Sequence, residues 1–228
     1  FIQPSAGDGG GALGAALAVW HIGLKNERKF ILEHAYYGKS YAEDEIAGAL
    51  KGSGIENFEQ IKDEEKLVDL TADKLSRGKV IGWFQGRFEW GPRALGSRSI
   101  LADPRRVEMK DIVNTKIKFR EPYRPFAPSV LAEYAEDFFE MPDAQSHFPA
   151  RFMLYVVPVK KEKQNIIPAV THVDGTARPQ LVFKEISPCY WKLIDCVRQK
   201  TGVPLILNTS FNLKGEPIVN TPSEAIDT

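Results

Sequence analysis

The sequence predicts an α/β protein with a mixed sheet, because helical and extended patterns alternate along its 228 residues. Apolar residues recur with a helical period over residues 64–77 and form short uninterrupted runs at residues 79–84 and 203–207. Hydrophobic residues make up 43% of the chain and charged residues 26%. This composition is ordinary for a globular protein and excludes disordered, collagen-like and disulfide-stapled classes.

The domain assigned to that α/β pattern covers residues 64–228. We expect residues 1–24, a glycine-rich loop followed by a helix from residue 12 to about residue 20, to be the tail of an upstream domain. Residues 25–63 mix polar turns with one weak helical pattern and are expected to be a connector. From these patterns we expect both ends of the chain to lie within a longer protein.

Local signals then predict the elements of the 64–228 domain in order. Gly78 is placed to end the helix over residues 64–77, and a strand follows at 79–84. A second strand is expected at 99–102 and a second helix at 106–117. The predicted inner face of that helix is Val107, Ile112, Val113 and Ile117.

Prolines and caps shape the second half of the domain. Prolines at 122, 125 and 128 predict a stiff loop outside any sheet. Strands are expected at 152–159 and 180–183, and a helix from Pro188 to a Gly202 cap. The buried strand at 203–207 is expected to end before a polar loop. A last helix should begin at Pro222 behind a Thr221 cap.

Charge and cysteine usage limit the partners and the compartment. Thirty basic residues balance thirty acidic ones, so no global field would gather polyanions, and broad nucleic-acid affinity is not expected. Cys189 and Cys196 lie on one predicted helix with Cα atoms about 10 Å apart, which is too far for a disulfide. With no signal peptide or long apolar run, we expect a cytoplasmic protein without a membrane partner.

The segment from Gly86 to Ser99 is the strongest local signal of function. It follows a strand and places Arg87, Arg93 and Arg98 among glycines, which allow tight turns and bring backbone N–H groups forward. Guanidinium groups bind phosphates and carboxylates through two parallel hydrogen bonds, so the segment predicts an anion cradle. The alternative is a basic surface loop paired with Glu89.

Two further arginine segments are candidates. The proline-rich loop would hold Arg120 and Arg124 in fixed positions, although it could instead be a corner that packs Tyr123 and Phe126. Arg178 lies near His172 and Asp174, a pair with too few ligands for a metal site, and we expect His172 to be structural.

The polar run after the last buried strand is a candidate ligand site. It brings hydroxyl and amide groups to the carboxyl end of a strand, where α/β folds bind ligands, although such residues are also ordinary turn formers. The residues concerned are Asn208, Thr209, Ser210 and Asn212.

Together these motifs resemble the C-terminal part of the NodU/CmcH-type O-carbamoyltransferases of nodulation and antibiotic biosynthesis. The matching stretches cover nearly the whole chain and are FIQPSAGDGGGALGAAL, GWFQGRFEWGPRALGSRSILADPR, NTKIKFREPYRPFAP, HVDGTARPQ and PLILNTSFNLKGEP. The last stretch is also similar to the strand and loop of YrdC-type domains. The resemblance implies a YrdC-like mixed twisted sheet with flanking helices.

The resemblance also implies a two-site enzyme. The YrdC-like domain would form carbamoyl adenylate from carbamoyl phosphate and ATP, with Mg²⁺ as the accompanying ion. An N-terminal actin/hexokinase-like domain would then transfer the carbamoyl group to a hydroxyl of a small molecule or sugar. Asp8 falls where that domain has a carboxylate ligand for iron or another divalent metal, and the other ligands would come from upstream sequence.

By the same resemblance, ten residues receive roles in the activating site. The implied catalytic residues, expected to converge on one pocket, are Arg87, Arg93, Arg98 and Arg178. The implied substrate- and ATP-binding residues are Arg120, Arg124, Asn208, Thr209, Ser210 and Asn212. Two other functions remain open from the residues alone: a nucleotide- or RNA-binding YrdC-like module without catalysis, and a structural remnant that only caps its N-terminal partner.

Overall fold

A five-stranded mixed sheet lies at the centre of the computed structural model, which describes residues 2–228. Residues 2–228 contain seven strands: β1 (Ile81–Phe84), β2 (Arg98–Ala102), β3 (Ala127–Leu131), β4 (Val157–Pro158), β5 (Thr176–Ala177), β6 (Gln180–Val182) and β7 (Leu205–Ser210). The order across the central sheet is β1-β2-β7-β3-β6. β3 and β6 are parallel and the other neighbours are antiparallel, while β4 and β5 form a small antiparallel sheet.

Helices flank the sheet and precede it. They are α1 (Asp8–Ala18), α2 (Glu43–Gly52), α3 (Glu64–Ser76), α4 (Met109–Asp111), α5 (Ala135–Phe138), α6 (Lys161–Gln164), α7 (Pro188–Thr201) and α8 (Pro222–Asp227). α1 and α4 continue into π-helical turns at Val19–Gly23 and Ile112–Ile117. Within residues 2–228 no helix combines the length and apolarity needed to cross a membrane.

The two faces of the central sheet bury different clusters. Leu205 and Leu207 of β7 pack with Met109 and Val113 from the α4 region, whereas Ile206 packs with α3 and α7. This alternation follows from the two-residue period of a strand. The predicted fold class, mixed α/β with flanking helices, is confirmed.

Caps set the ends of the flanking helices, and those at Thr221 and Gly202 were predicted from the sequence. The Asp63 carboxylate accepts N–H groups of the first turn of α3, and the Thr221 hydroxyl does the same for α8. Gly202 ends α7 with a φ of 78°, a left-handed conformation that favours glycine. Cys189 and Cys196 both lie on α7 and are unpaired, so the predicted absence of a disulfide is confirmed.

The predicted bounds are wrong for two helices. α1 begins at Asp8, four residues before the expected start, because the glycine run adopts helical geometry. The helix expected at 106–117 begins at Met109, since the Asp103 carboxylate accepts the Arg105 N–H at 3.0 Å and holds a turn there. Val107, expected on the inner face, is therefore 69% exposed.

Three predicted strand bounds are also wrong. Pro128 lies inside β3, opposite Leu207 of β7. Proline has no N–H to donate to a neighbouring strand, and it is tolerated here because β6 pairs with β3 only from Ser129 onward. The strand expected at 152–159 shrinks to β4, since Met153 turns the chain with a φ of 54°. The residues at positions 208–210 belong to β7 rather than to a loop beyond it.

Candidate active site

A cleft of about 370 Å³ opens beside the carboxyl half of β7. Four arginines from three separate segments line it: Arg93, Arg120, Arg124 and Arg178. Asn208, Thr209 and Ser210 of β7 complete its polar wall. Among the described residues that line it, none is acidic. We call this space the arginine cleft, and its charge suits an anionic ligand.

Arg93 and Arg178 both line this cleft, and part of their hydrogen-bond donors have no partner among the described residues. The Nε atoms of both are buried and have no hydrogen-bond partner among residues 2–228. Burial and the nearby charge of Arg93 lower the pKa of Arg178 to about 10, so its guanidinium is still cationic at neutral pH. Two partly desolvated cations side by side are unfavourable unless an anion joins them.

The proline-rich loop is fixed by a buried amide. Asn114 is fully buried, and its Nδ2 donates to the carbonyl oxygens of Pro122 at 3.2 Å and Arg124 at 3.0 Å. Its Oδ1 accepts from Arg120 Nε at 2.7 Å, and the Arg120 guanidinium lies 4.8 Å from the Phe126 ring. Burial and the charge of Arg124 lower the pKa of Arg120. Asn114, which the sequence analysis missed, thus orients Arg120.

The other members of this loop differ in exposure. Arg124 Nε donates to Glu121 Oε2 at 3.0 Å at the rim of the cleft, and its side chain is half exposed. Phe126 is buried, in line with a packing corner, whereas Tyr123 is 73% exposed. The loop therefore presents its arginines and packs only one of the two aromatic residues considered.

Arg87 and Arg98 do not reach the arginine cleft, so the predicted convergence of four arginines is wrong for these two. Arg98 is fully buried and donates to the carbonyl oxygens of Gln85, Gly86, Ser97 and Lys39 at 2.9–3.4 Å. Arg87 donates to the carbonyl oxygens at positions 37 and 38 at 3.3 and 3.0 Å. Both guanidinium groups donate hydrogen bonds to backbone carbonyl oxygens, and neither lines the cleft.

Glu89 organises the loop that carries Arg93. Its Oε1 accepts the N–H groups of Leu95, Ser97 and Arg98 at 2.8, 2.7 and 3.2 Å, and burial raises the pKa of its carboxyl group. The N–H groups that were expected to cradle an anion are thus already bound. Glu89 is also not the surface ion-pair partner of the alternative interpretation, since it is buried.

The predicted connector contributes to this loop. Residues 35–39, which we call the strap, run beside residues 87–90 through backbone hydrogen bonds. Gly38 N–H donates to Phe88 O at 2.9 Å, and Phe88 N–H donates to Lys39 O at 3.1 Å. Trp90 N–H donates to Ala35 O at 2.6 Å. The strap therefore holds the arginine-bearing loop from outside the 64–228 segment.

Gly38→Ala should destabilise this contact. An alanine Cβ at position 38 would lie 2.7 Å from Phe88 Cβ and 2.8 Å from Phe88 O, so the strap must shift. We expect the free energy of unfolding to fall by about 1–3 kcal/mol in denaturant titration. Gly48→Ala is the control, because its Cβ meets nothing within 4 Å on α2. The control should be stabilised by up to about 1 kcal/mol; equal effects would show that the strap is loosely held.

Lys118 is a second residue that the sequence analysis missed. Its Nζ donates to the carbonyl and hydroxyl oxygens of Ser210, the latter at 3.1 Å, and to Asn212 O and Oδ1 at 3.0 and 2.5 Å. Burial and the charge of Arg120 lower the pKa of Lys118 to about 7. The available signal was a lysine flanked by Ile117 and Phe119, an apolar setting unusual for a surface lysine.

The remaining polar residues of β7 sit in a buried network. Asn208 Nδ2 donates to Ala94 O at 3.0 Å, Ser129 Oγ at 2.9 Å and Gln180 Oε1 at 3.2 Å, while its Oδ1 is buried without a partner among the described residues. Thr209 lines the arginine cleft. Because Ala94 follows Arg93 directly, Asn208 anchors that arginine from the side opposite Glu89.

His172 and Asp174, the pair with too few ligands for a metal site, do not line the cleft, and neither does Asp8. His172 Nδ1 is 3.1 Å from Thr176 Oγ1, which donates to Asp174 Oδ1 at 2.7 Å, and burial lowers the pKa of His172. This geometry holds a turn. Asp8 is exposed at the first residue of α1, and its role as a metal ligand stays a prediction. Within residues 2–228 no three candidate ligands come together.

Fold and cleft define a mixed α/β domain with a cleft lined by four arginines. The family described as carbamoyltransferase C-terminus matches residues 72–228, and the chain belongs to this family. The predicted family resemblance is confirmed.

Named relatives agree with this assignment. The chain is 47% identical over its whole length to nodulation protein NolNO of Sinorhizobium fredii and to NolO of Bradyrhizobium diazoefficiens. It is 32% identical over 99% of its length to a 3'-hydroxymethylcephem-O-carbamoyltransferase of Streptomyces clavuligerus. The chain spans 33%, 41% and 40% of the length of these three relatives.

Among solved structures, full-length HypF in the phosphate- and nucleotide-bound form is similar, with a TM-score of 0.50 and 20% identity. The superposition covers 74% of this chain and 20% of HypF. At that identity the likeness concerns the fold alone.

Proposed function

We propose that this domain forms carbamoyl adenylate from carbamoyl phosphate and ATP. It would be the activating half of an O-carbamoyltransferase whose acceptor is a hydroxyl of a small molecule or sugar. The observation that carries the proposal is the arginine cleft, where four guanidinium groups from three segments meet with no acid among the described lining residues. Because the chain belongs to the carbamoyltransferase family, we assign carbamoyl phosphate and ATP as the anions that bind there.

The chemistry needs such a cleft. In the proposed sequence, water converts carbamoyl phosphate to carbamate and phosphate. A carbamate oxygen then attacks the α-phosphorus of ATP, the bond to the β-phosphate oxygen breaks, and pyrophosphate leaves. Negative charge moves onto leaving phosphates in both steps, so preorganised cationic donors in a partly dry site lower the barriers.

The residues divide by position. Arg93 and Arg178 would bind the phosphates in the cleft, with Arg120 beside them and Arg124 at the rim. Ser210 and Asn212, joined by Lys118, form a polar wall for the nucleotide phosphates or the carbamoyl group. Arg87 and Arg98 would support the loop rather than touch substrate, which revises the roles that the resemblance implies.

Magnesium finds no protein ligand in this arrangement. The described lining residues contain no carboxylate, the ligand that Mg²⁺ prefers in proteins. Any magnesium would therefore enter on the phosphates of ATP, and no step is assigned to it. An iron or other divalent ion would belong with Asp8 and upstream residues.

The domain division is part of the proposal. Residues 64–228 would activate the carbamoyl group, with residues 35–39 of the connector as a support for the loop. Residues 1–24 would belong to the N-terminal transfer domain, which is the partner that receives the adenylate.

Pyrophosphate release tests the function. The 228-residue chain, supplied with labelled ATP and Mg²⁺, should release pyrophosphate only when carbamoyl phosphate is added. Adenylate that is not passed to a hydroxyl acceptor would hydrolyse in water. A folded chain that binds ATP yet releases no carbamoyl-dependent pyrophosphate would contradict activation and favour a nucleotide-binding module.

A further inference from the structure

The segment from Gly91 to Ser97 carries Arg93 but belongs to no helix or strand. Side chains bind the peptide groups that follow Arg93 and set the shape of the segment. We infer that Tyr36, a residue of the strap, is a positioning residue that fixes Arg93 through the backbone of this segment. The inference rests on the proposed function, in which Arg93 binds a phosphate group in the arginine cleft.

Leu95, two residues beyond Arg93, is the point at which Tyr36 acts. Its carbonyl oxygen accepts hydrogen bonds from the Tyr36 hydroxyl at 2.7 Å and from Gln180 Nε2 at 2.8 Å. Its N–H donates to Glu89 Oε1 at 2.8 Å. Side chains from the strap, from β6 and from residue 89 therefore bind both polar groups of one residue.

The carbonyl groups on either side of Leu95 are bound in the same way. Asn208 Nδ2 donates to Ala94 O at 3.0 Å, and Trp83 Nε1 donates to Gly96 O at 2.9 Å. Buried backbone groups outside a helix or sheet need such partners. Each partner also restricts the backbone dihedral angles of the arginine-bearing segment, which is thereby held in one conformation.

Tyr36 is itself fixed by its surroundings. Its ring packs against a buried cluster that includes Ala127 and Met153, and these two residues line the arginine cleft. Hydrogen bonds to residues 88 and 90 hold the strap backbone on both sides of Tyr36. Burial, and after it the charge of Glu89, raise the pKa of Tyr36, so its hydroxyl keeps its proton and donates at neutral pH.

Arg93 depends on this support because part of its guanidinium group has no partner of its own. Its Nε is buried without a hydrogen bond among residues 2–228. A guanidinium group lowers a barrier as a preorganised donor, and a displacement of about 1 Å can cost about 100-fold in rate. The Tyr36 hydroxyl therefore contributes to the reaction without touching the substrate.

The connector thus supplies a residue to the activating site. Tyr36 lies outside residues 72–228, the part of the chain that matches the carbamoyltransferase family. The strap is therefore part of the activating unit and more than a covalent link to it. The matched part contains the other side chains that bind the segment: Trp83, Glu89, Gln180 and Asn208.

Calorimetric titration with inorganic pyrophosphate measures how well the cleft is organised. Tyr36→Phe keeps the ring and removes one of the two hydrogen bonds to Leu95 O, and it should weaken pyrophosphate binding by about 3- to 10-fold. The kcat for carbamoyl-dependent pyrophosphate release should fall by about 3- to 30-fold. Tyr37→Phe is the matched control, because Tyr37 is the next residue of the strap and is 37% exposed. It should behave as the wild type does.

A double-mutant cycle separates positioning from a merely structural role. In the Arg93→Ala background, Tyr36→Phe should change pyrophosphate affinity by less than about twofold, since the side chain through which it acts is gone. A structural role would weaken binding by the same factor in both backgrounds. Such additivity would overturn the inference, and so would wild-type affinity in Tyr36→Phe. A Tyr36→Phe chain that fails to fold would also overturn it, because Tyr36 would then be a structural residue.

The outcomes also distinguish this inference from the proposed function. If the wild type binds pyrophosphate and the cycle is non-additive, but no carbamoyl-dependent pyrophosphate is released, the proposed function is refuted and the positioning role of Tyr36 stands. If release is observed and the cycle is additive, the positioning role alone is refuted. A folded wild type that binds no pyrophosphate would overturn both, since Arg93 would then bind no phosphate group.

Discussion

Arg93→Ala and Arg178→Ala should each lower kcat/KM for carbamoyl-dependent pyrophosphate release roughly 30- to 800-fold. This factor corresponds to a loss of about 2 to 4 kcal/mol of transition-state stabilisation. Each variant removes one of the two partly buried cations that face the cleft. The remaining guanidinium would then have to stabilise the leaving phosphate charge alone. Steady-state kinetics with carbamoyl phosphate varied at saturating ATP measures the loss.

A conservative series shows whether geometry or charge is responsible. Arg93→Lys keeps the charge but not the planar fork, and should recover only part of the rate. Arg77→Ala is the control, since Arg77 pairs with Asp73 on α3 and its side chain is 74% exposed. Unchanged kinetics in a folded Arg93→Ala protein would remove Arg93 from the site, and a loss of similar size in Arg77→Ala would mean that the effect is nonspecific.

Elements with local signals could be predicted from the sequence. α3 and α7 follow from apolar periodicity and from caps within a few residues, such as Asp63 and Gly202. Ends that depend on distant partners could not. Pro128 joins β3 because β7 supplies the pairing and β6 does not reach it, and nothing near residue 128 encodes this.

The candidate site shows the same division. The sequence could identify which segments are rich in arginine, but not where each guanidinium points. Arg98 points into the protein because four carbonyl groups and two phenylalanine rings surround it. Arg93, five residues earlier, lines the cleft, and Glu89 and Asn208 hold the Ala94–Leu95 peptide group that follows it.

The strap could not be predicted from the sequence either, but for a different reason. Its contacts to residues 87–90 join main chain to main chain, so they impose no periodicity on the side chains. The only local trace is Gly38, where Phe88 leaves no space for a Cβ atom. Positions of this kind need the tertiary structure to be recognised.

Lys118 should link anion binding to proton uptake. At pH 8 this lysine, with a pKa of about 7, is mostly neutral. A triphosphate bound beside Ser210 and Asn212 would favour the charged form and raise that pKa, so binding at pH 8 should take up a proton. At pH 6 the lysine is already cationic and uptake should vanish. Arg178 does not contribute, because its pKa of about 10 keeps it charged at both values.

Calorimetry of ATP binding in two buffers of different ionisation enthalpy measures this uptake, and Lys118→Met should abolish it. The same variant should lower pyrophosphate release by about 100-fold, since a buried donor to the reacting phosphate is lost. Stability provides an independent readout. Between pH 7 and 10 the unfolded chain binds the lysine proton and the folded chain does not, so Lys118 makes stability rise with pH. Lys118→Met should flatten that rise. An unchanged slope together with unchanged proton uptake would mean that Lys118 titrates normally and lies outside the site's chemistry.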